Sequence, residues 1–326
     1  MTARTAGTHR PGRSYTLVGA DGVARPSSTP GTLGGHRTSK VYGRLDCPGA
    51  LSWIARGKYV QHRVFFADEA TALAAGFRPC GTCIRARYAE HKRGEMTVRL
   101  DAKQPFDWAH LAAFFVARTV PGLETMEGET YRRSGFELTI DPQGGSVTAS
   151  GDIADRVRRA RRMLDLDAEP QAIENALADE PLLPTRPGMR SPGVFDEYET
   201  KVRAIVGQQI SVAGTRTILG RMHEQGLFPD KNGLANADPS QLPMPRHRAN
   251  ALIALASGEP FDEIKGVGPW TRDYVRMRTG DPDVLLATDL VVRRALNLKP
   301  KEIERRGEAW RPFRSYATHR LWSATG

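Results

Sequence analysis

The spacing of apolar and polar positions changes period along the chain. In the first hundred residues the runs are short. Val41 to Asp46 (VYGRLD) and Tyr59 to Phe66 (YVQHRVFF) are rich in β formers and read as strands. Pro48 to Arg56 reads as a helix with proline in its first turn, and Asp68 to Ala75 as a helix with acids at its start and Gly76 beyond its end. Met96 to Leu100 alternates like a strand, Trp108 to Arg118 has helical spacing, and strand-like runs return around Tyr131 to Ile140 and Ser146 to Ser150. From Asp152, a possible N-cap, the period is helical to the end. Helices are predicted over 152–164, over 195–206 with Val202, Ile205 and Val206 on one face, over 246–256 and over 269–278. Proline and glycine breaks separate them, the pattern of an all-α bundle.

Within that bundle one stretch combines two chemical features. Ile264-Lys265-Gly266-Val267-Gly268 is a tight glycine hairpin opening onto a helix whose first residue is Pro269. Glycine admits φ > 0 and close approach of a ligand, and proline suits a first helical turn. Unpaired N–H groups and the positive end of a helix dipole then meet at one spot, which suits a phosphate. Asp289 follows in the apolar run LLATDLVV. An acid there is costly to bury unless it is paired or has a chemical task. The structural alternative is a solvated turn followed by an N-cap acid on a core helix.

Charge adds an asymmetry. Net charge is +10, yet residues 1–94 hold 15 Lys/Arg against 5 Asp/Glu, and the remainder is balanced at 32 against 32. A basic N-terminal third points to a polyanion partner near it. Residues 1 to about 38, rich in Gly, Pro, Ser, Thr and Arg, read as loop-like. No apolar run reaches membrane-span length, the start lacks a signal-peptide core, and three cysteines argue for a reducing compartment; a cytoplasmic protein is the expectation.

The cysteines carry their own chemistry. Cys80 and Cys83 form a CxxC knuckle after Arg78-Pro79, with Cys47 upstream. Thiolates at this spacing chelate one ion, and tetrahedral Zn²⁺ takes a fourth ligand. His62, placed on the Tyr59 to Phe66 strand, is the first candidate and His36, in a glycine-rich loop, the alternative. A lone CxxC is also a redox motif, but the thioredoxin-like βαβ pattern is absent. The segment is short in large apolar groups and needs a staple, so the zinc is read as structural.

These motifs carry two resemblances. KGVGPWTRDYV followed by LLATDLVVRR resembles the helix-hairpin-helix DNA glycosylases, specifically the AlkA-type 3-methyladenine DNA glycosylase II family. QPFDWAHLAAFFVAR, RPGMRSPGVFDEYETKVRAIVGQQISVA, LPMPRHRANALIALA and AWRPFRSYATHRLW resemble that family in its order, so the likeness covers roughly residues 96–326. It implies excision of alkylated purines from double-stranded DNA by base flipping and hydrolysis of the N-glycosidic bond, with no cofactor required for that chemistry. It makes Asp289 the catalytic acid, Trp270, Tyr274, Trp322 and Phe114 the walls of the base pocket, and Gly266, Gly268, Lys265 and Thr271 the DNA grip. Bifunctional relatives place a lysine where this chain has Trp270, so a monofunctional enzyme is implied. The family's apolar wedge is sought before the Pro-Gly of RSPG, where this chain has Ser191, with Met189 the apolar side chain nearby. Only residues 258–264 separate the 246–256 helix from the hairpin, where the family has a further helix.

ADEATALAAGFRPCGTC resembles the second half of the zinc domain of the Ada repair protein. That domain uses four cysteines, one a methyl acceptor; here Cys47 stands alone, with Leu51 where its companion would be. The resemblance therefore implies zinc binding with a histidine as substitute ligand, and no araC-type helix-turn-helix follows.

The expected fold is multidomain α+β: a loop-like basic tail over 1–35, a small Ada-like α/β zinc domain over 36–92, an AlkA-like α+β domain over 95–165, and an all-α helix-hairpin-helix glycosylase bundle over 166–326. A monomer is expected. The other class that fits is a non-catalytic, lesion-sensing DNA-binding module using the same hairpin.

Overall fold

The computed structural model describes residues 14–324. The chain forms two compact units, one built from the residues up to Arg99 with Val147–Arg158, the other from Leu100–Ser146 with the residues from Arg159 onward. Membership passes from one unit to the other within the strands Glu95–Asp101 and Gly144–Ser150 and the helix Ile153–Met163.

In the first unit a four-stranded sheet runs in the order Arg63–Phe66, Leu33–His36, Val41–Arg44, Arg78–Pro79. The first three are antiparallel, with Gly35 opposite both Tyr42 and Val64, and the last is parallel to Val41–Arg44. Gly35 is required by its neighbours: a Cβ there would stand 2.8 Å from the Phe66 ring and 3.1 Å from that of Phe77. Phe66, Leu73, Phe77 and Tyr42 are buried around it. Asp68 caps the helix Glu69–Ala74 by accepting from the Thr71 N–H, a contact that stabilises a helix by about 1 kcal/mol.

Two expectations change here. Residues 14–35 are not loop-like: Tyr15–Val18 and Ala24–Ser27 pair as a hairpin, and Leu33–His36 is a central sheet strand. The small residues that suggested a loop are the ones a crowded strand needs. The remainder of the expected tail, residues 1–13, lies outside the described residues. The strand predicted over Tyr59 to Phe66 begins only at Arg63, because its partner ends at His36, opposite Arg63; Val60–His62 is a 3-10 turn.

The second unit holds a meander, Thr125–Glu127, Thr130–Arg133 and Phe136–Asp141, with the Tyr131 to Ile140 run broken at Gly135, whose φ is +67°. The rest is helical. Glu197–Val206, Val212–Glu224 and Arg246–Ser257 bury Val202, Ile205, Leu219, Met222, Leu252 and Leu255 against one another. Pro170–Leu177, Leu290–Leu296, Pro300–Gly307 and Arg314–Ser323 bury a second cluster around Val292, Leu296, Ile303, Trp310 and Leu321. Each such aliphatic side chain contributes about 1.5–3 kcal/mol on burial. Arg246–Ser257 ends in a left-handed Gly258, and the hairpin follows after a turn, so this helix is the hairpin's first helix. Among the described residues no helix is long and apolar enough to cross a membrane.

Candidate functional site

Asp289 is the N-cap of Leu290–Leu296. Its Oδ1 accepts from the backbone N–H groups of Val291 and Val292 at 3.0 and 3.1 Å and from the Trp322 indole at 3.0 Å. Its Oδ2 accepts from the Trp270 indole at 3.1 Å. The structural alternative for this acid holds, since it caps a helix, and the same carboxylate lines a cleft. The apolar run before it explains its placement, since Val284 and Leu286 bury with Met277 beneath Trp270, Tyr274 and Trp322. Trp270 and Tyr274, one helical turn apart on Pro269–Arg278, stack at 5.2 Å with an interplanar angle of 8°.

Asp289, Trp270, Tyr274 and Trp322 line one face of a cleft of about 460 Å³. The opposite face comes from the end of Glu197–Val206 and the start of Val212–Glu224, including Gly207, Ile210, Ser211 and Val212. The cleft thus opens between the two helical clusters, with aromatic planes on one side and a mixed face that includes Ile210, Ser211 and Val212 on the other. Phe114 is not among its lining residues. Its ring is covered by the Arg118 and Arg278 guanidinium groups, 3.8 and 4.1 Å from its centroid, and it borders a smaller neighbouring cavity. Arg118 itself reaches the Asp289 cleft. Burial pushes the Arg278 pKa down to about 10 and lowers that of Arg118.

The hairpin abuts this cleft. Ile264 and Val267 are buried anchors, whereas Lys265 and Gly266 are exposed at the tip. Gly266 has φ +97°, and Gly268 is the N-cap of Pro269–Arg278. Thr271 is buried, and its hydroxyl accepts from Gln208 Nε2 at 3.0 Å; the same amide donates to the Gly266 carbonyl at 2.9 Å. Thr271 thus braces the hairpin from behind and does not present its side chain to a ligand.

Met189 and Ser191 do not form an exposed wedge. Both are buried, at 2% and 8% exposure. Their segment is packed on all sides: Arg190 donates to the Lys103 carbonyl, the Ser191 N–H donates to Asp165, and a Cβ on Gly193 would fall 2.0 Å from the Arg162 carbonyl oxygen. Exposed residues do line the cleft between the helices Glu197–Val206 and Val212–Glu224, Ile210 among them, and Gln209, exposed with φ +59°, precedes it. The apolar Ile210 after two glutamines was the available sequence signal for this rim.

In the first unit, Cys47 follows the strand Val41–Arg44, and Cys80 and Cys83 follow its parallel neighbour Arg78–Pro79. Two adjacent parallel strands therefore deliver the three thiols to one place, with their sulfurs all within 4.8 Å of one another. Gly43 makes the room: a Cβ there would lie 2.6 Å from Cys83 Sγ. Three thiols so gathered are a donor set for a soft divalent ion such as Zn²⁺. Neither histidine joins them. His62 is exposed on the 3-10 turn, and His36 Nδ1 accepts from the Ser39 N–H; the two rings lie against each other, 5.1 Å apart. His62 was misplaced because the strand expected to aim it starts one residue later.

Comparison with known proteins fits this geometry. Solved structures described as MBOgg1 in complex with a low-affinity DNA ligand and as Clostridium acetobutylicum 8-oxoguanine glycosylase/lyase with double-stranded DNA superpose with TM-scores of 0.56 each. They are 18% and 14% identical, cover 70% and 71% of this chain, and are themselves covered over 94% and 95%. The fold is that of the helix-hairpin-helix glycosylases. Residues 97–196 match the AlkA N-terminal domain, and residues 30–85 the metal binding domain of Ada. The DNA-3-methyladenine glycosylase 2 of Escherichia coli K12 is 32% identical over 278 residues, which is 70% of this chain and 97% of that protein. The chain belongs to the AlkA family of DNA-3-methyladenine glycosylases, with an Ada-type metal-binding domain ahead of the family's own. It is also 32% identical to the probable bifunctional transcriptional activator/DNA repair enzyme AlkA of Mycobacterium tuberculosis H37Rv, over 78% of this chain, and spans 63% of that protein's length.

Proposed function

We propose that the protein is a monofunctional DNA glycosylase that removes alkylated purines from duplex DNA and leaves an abasic site. The observation that carries this is Asp289, held at the wall of an aromatic cleft by two indole N–H groups and a helix N-terminus, beside a phosphate-binding type of hairpin. As the bond from C1′ to the base nitrogen breaks, its electron pair leaves with the base and positive charge develops on the sugar. A carboxylate beside C1′ stabilises that charge, and water adds to C1′ while its proton passes to solvent or the departing base. Oδ2, with a single donor, is the less encumbered oxygen for this task.

The base must leave the stack to reach such a cleft. Trp270, Tyr274 and Trp322 supply flat, electron-rich surfaces, which favour an electron-poor alkylated ring. Gly266, Gly268 and Lys265 grip the backbone, and Gln209 with Ile210 fills the vacated stack in place of Met189 and Ser191. Trp270 stands where bifunctional relatives carry a lysine, which supports base release without strand cleavage. Cys47, Cys80 and Cys83 hold a zinc ion that cross-links the first unit, and the base-release chemistry is carried by Asp289 without it. The reading implies a monomer working on DNA in the cytoplasm.

The test is base release from methylated duplex DNA, followed on abasic sites and strand breaks separately. Free alkylated purine with intact strands supports the reading. A borohydride-trapped protein–DNA adduct would overturn the monofunctional part, and binding without release would leave a lesion-sensing module.

A further inference from the structure

The three-thiol cluster differs from a closed structural site in one respect. Structural zinc is held by four protein ligands, whereas three protein ligands and one free position are the arrangement of sites that bind something else. Among the described residues no His, Cys, Asp or Glu joins Cys47, Cys80 and Cys83. Asp46 is paired with Arg44 at 2.5 Å, and His36, which lines the same side of the sheet as Cys47 and Cys80, stays outside the cluster with its Nδ1 accepting from the Ser39 N–H. Leu51, one helical turn beyond Cys47, is exposed and offers no donor.

A second observation points to what fills the free position. Cys47 and Cys80 open onto a cleft of about 570 Å³ within the same unit, which is lined by Arg44, Lys58 and Arg63 and by Trp53 and Tyr59. The Arg63 Nε is buried and lacks an acceptor. Trp53 stands half exposed at the rim. Among the described residues no carboxylate lines this cleft. Cationic side chains beside three thiolates favour an anionic visitor, and soft thiolate-bound metal favours a sulfur donor.

We infer that this chain gives its metal three thiolates and leaves the fourth coordination position to an exogenous ligand entering from the cleft, a small anionic thiol. The inference rests on the cluster holding a metal ion. It changes the reading of the zinc from a purely structural staple to an exchangeable binding site.

The test uses the full-length protein loaded with Co²⁺ in place of zinc, with mercaptoacetate as probe. One cobalt per chain is expected. On adding mercaptoacetate, the thiolate-to-cobalt absorption should rise by about a third, in the ratio of four sulfurs to three, with cobalt still bound. Leu51→Cys should show the higher absorption without probe and respond no further. Lys58→Gln, an exposed change, should weaken mercaptoacetate several-fold and leave neutral 2-mercaptoethanol unaffected. A wild-type spectrum that ignores both thiols while cobalt stays bound overturns the inference and means a closed site with a fourth protein ligand. Absence of stoichiometric cobalt overturns the metal reading as well.

Discussion

Trp322 reaches Asp289 across 33 residues of sequence: its indole N–H meets Oδ1 at 3.0 Å, while Trp270 meets Oδ2 at 3.1 Å from the hairpin helix. The pair fixes the plane of the carboxylate without adding a positive charge that would oppose a developing sugar cation. The same two rings form the wall of the cleft, so one pair of residues shapes the pocket and aims the acid.

Asp289→Asn should keep the fold, because an Asn oxygen still caps Val291 and Val292. Removing a charge that acts in the transition state should lower base release by ~10²-fold or more and leave duplex affinity largely intact. Single-turnover release and equilibrium binding on one methylated duplex measure both. Unchanged release would assign the chemistry to another acid.

The two hairpin glycines should behave differently. Gly266 sits at φ +97°, so Gly266→Ala strains the tip by about 1 kcal/mol or more and lowers both stability and DNA affinity. Gly268 has φ −83°, and a Cβ there meets nothing within 4 Å. Gly268→Ala should therefore leave the melting temperature unchanged and weaken binding to all duplex sequences alike, since a phosphate would approach that position. A change in lesion preference at constant affinity would contradict this role.

Much of this site was legible in the sequence because its parts are local. The hairpin, its proline and the helix Pro269–Arg278 lie within fifteen residues, and Trp270 and Tyr274 share a helix face by spacing alone. The CxxC announces itself in the same way. What failed depended on contacts distant in sequence. Met189 and Ser191 look like a free loop until Arg190 is seen anchored to Lys103 and Asp165 to Ser191. Phe114 looks like a pocket wall until Arg278, far along the chain, covers it. His62 depended on a strand boundary, and such boundaries are set by partner strands.

Gly43 provides a test of the metal site that leaves every thiol in place. A Cβ there would stand 2.6 Å from Cys83 Sγ and 3.0 Å from Cys80 Cβ. Gly43→Ala should push the knuckle away from Cys47 and lower zinc affinity by ~10-fold or more, as misplaced ligands in a three-donor site do. Competition with a chromophoric chelator measures it. Base release by the same variant, assayed while the first unit remains folded, should be near wild type if Asp289 works without the metal.

Asp165 supplies the last prediction, and its effect is on stability. It is half-buried with φ +50°, and its Oδ2 accepts from the Ser191 N–H at 3.0 Å and the Tyr316 hydroxyl at 2.9 Å. Burial outweighs those bonds and raises its pKa from 3.8 to about 6. The folded state therefore holds a proton that the unfolded chain has released between about pH 4 and 6. The stability this contributes is fully present below about pH 4 and is lost as pH rises through 6, by about 3 kcal/mol at ~1.4 kcal/mol per unit. Asp165→Asn can keep both acceptor contacts on its one oxygen, and asparagine tolerates the left-handed backbone. It should abolish that slope. Urea unfolding of both proteins from pH 4 to pH 7 should show the wild type losing about 3 kcal/mol relative to the variant. Parallel profiles would mean that Asp165 titrates alike in the folded and unfolded states.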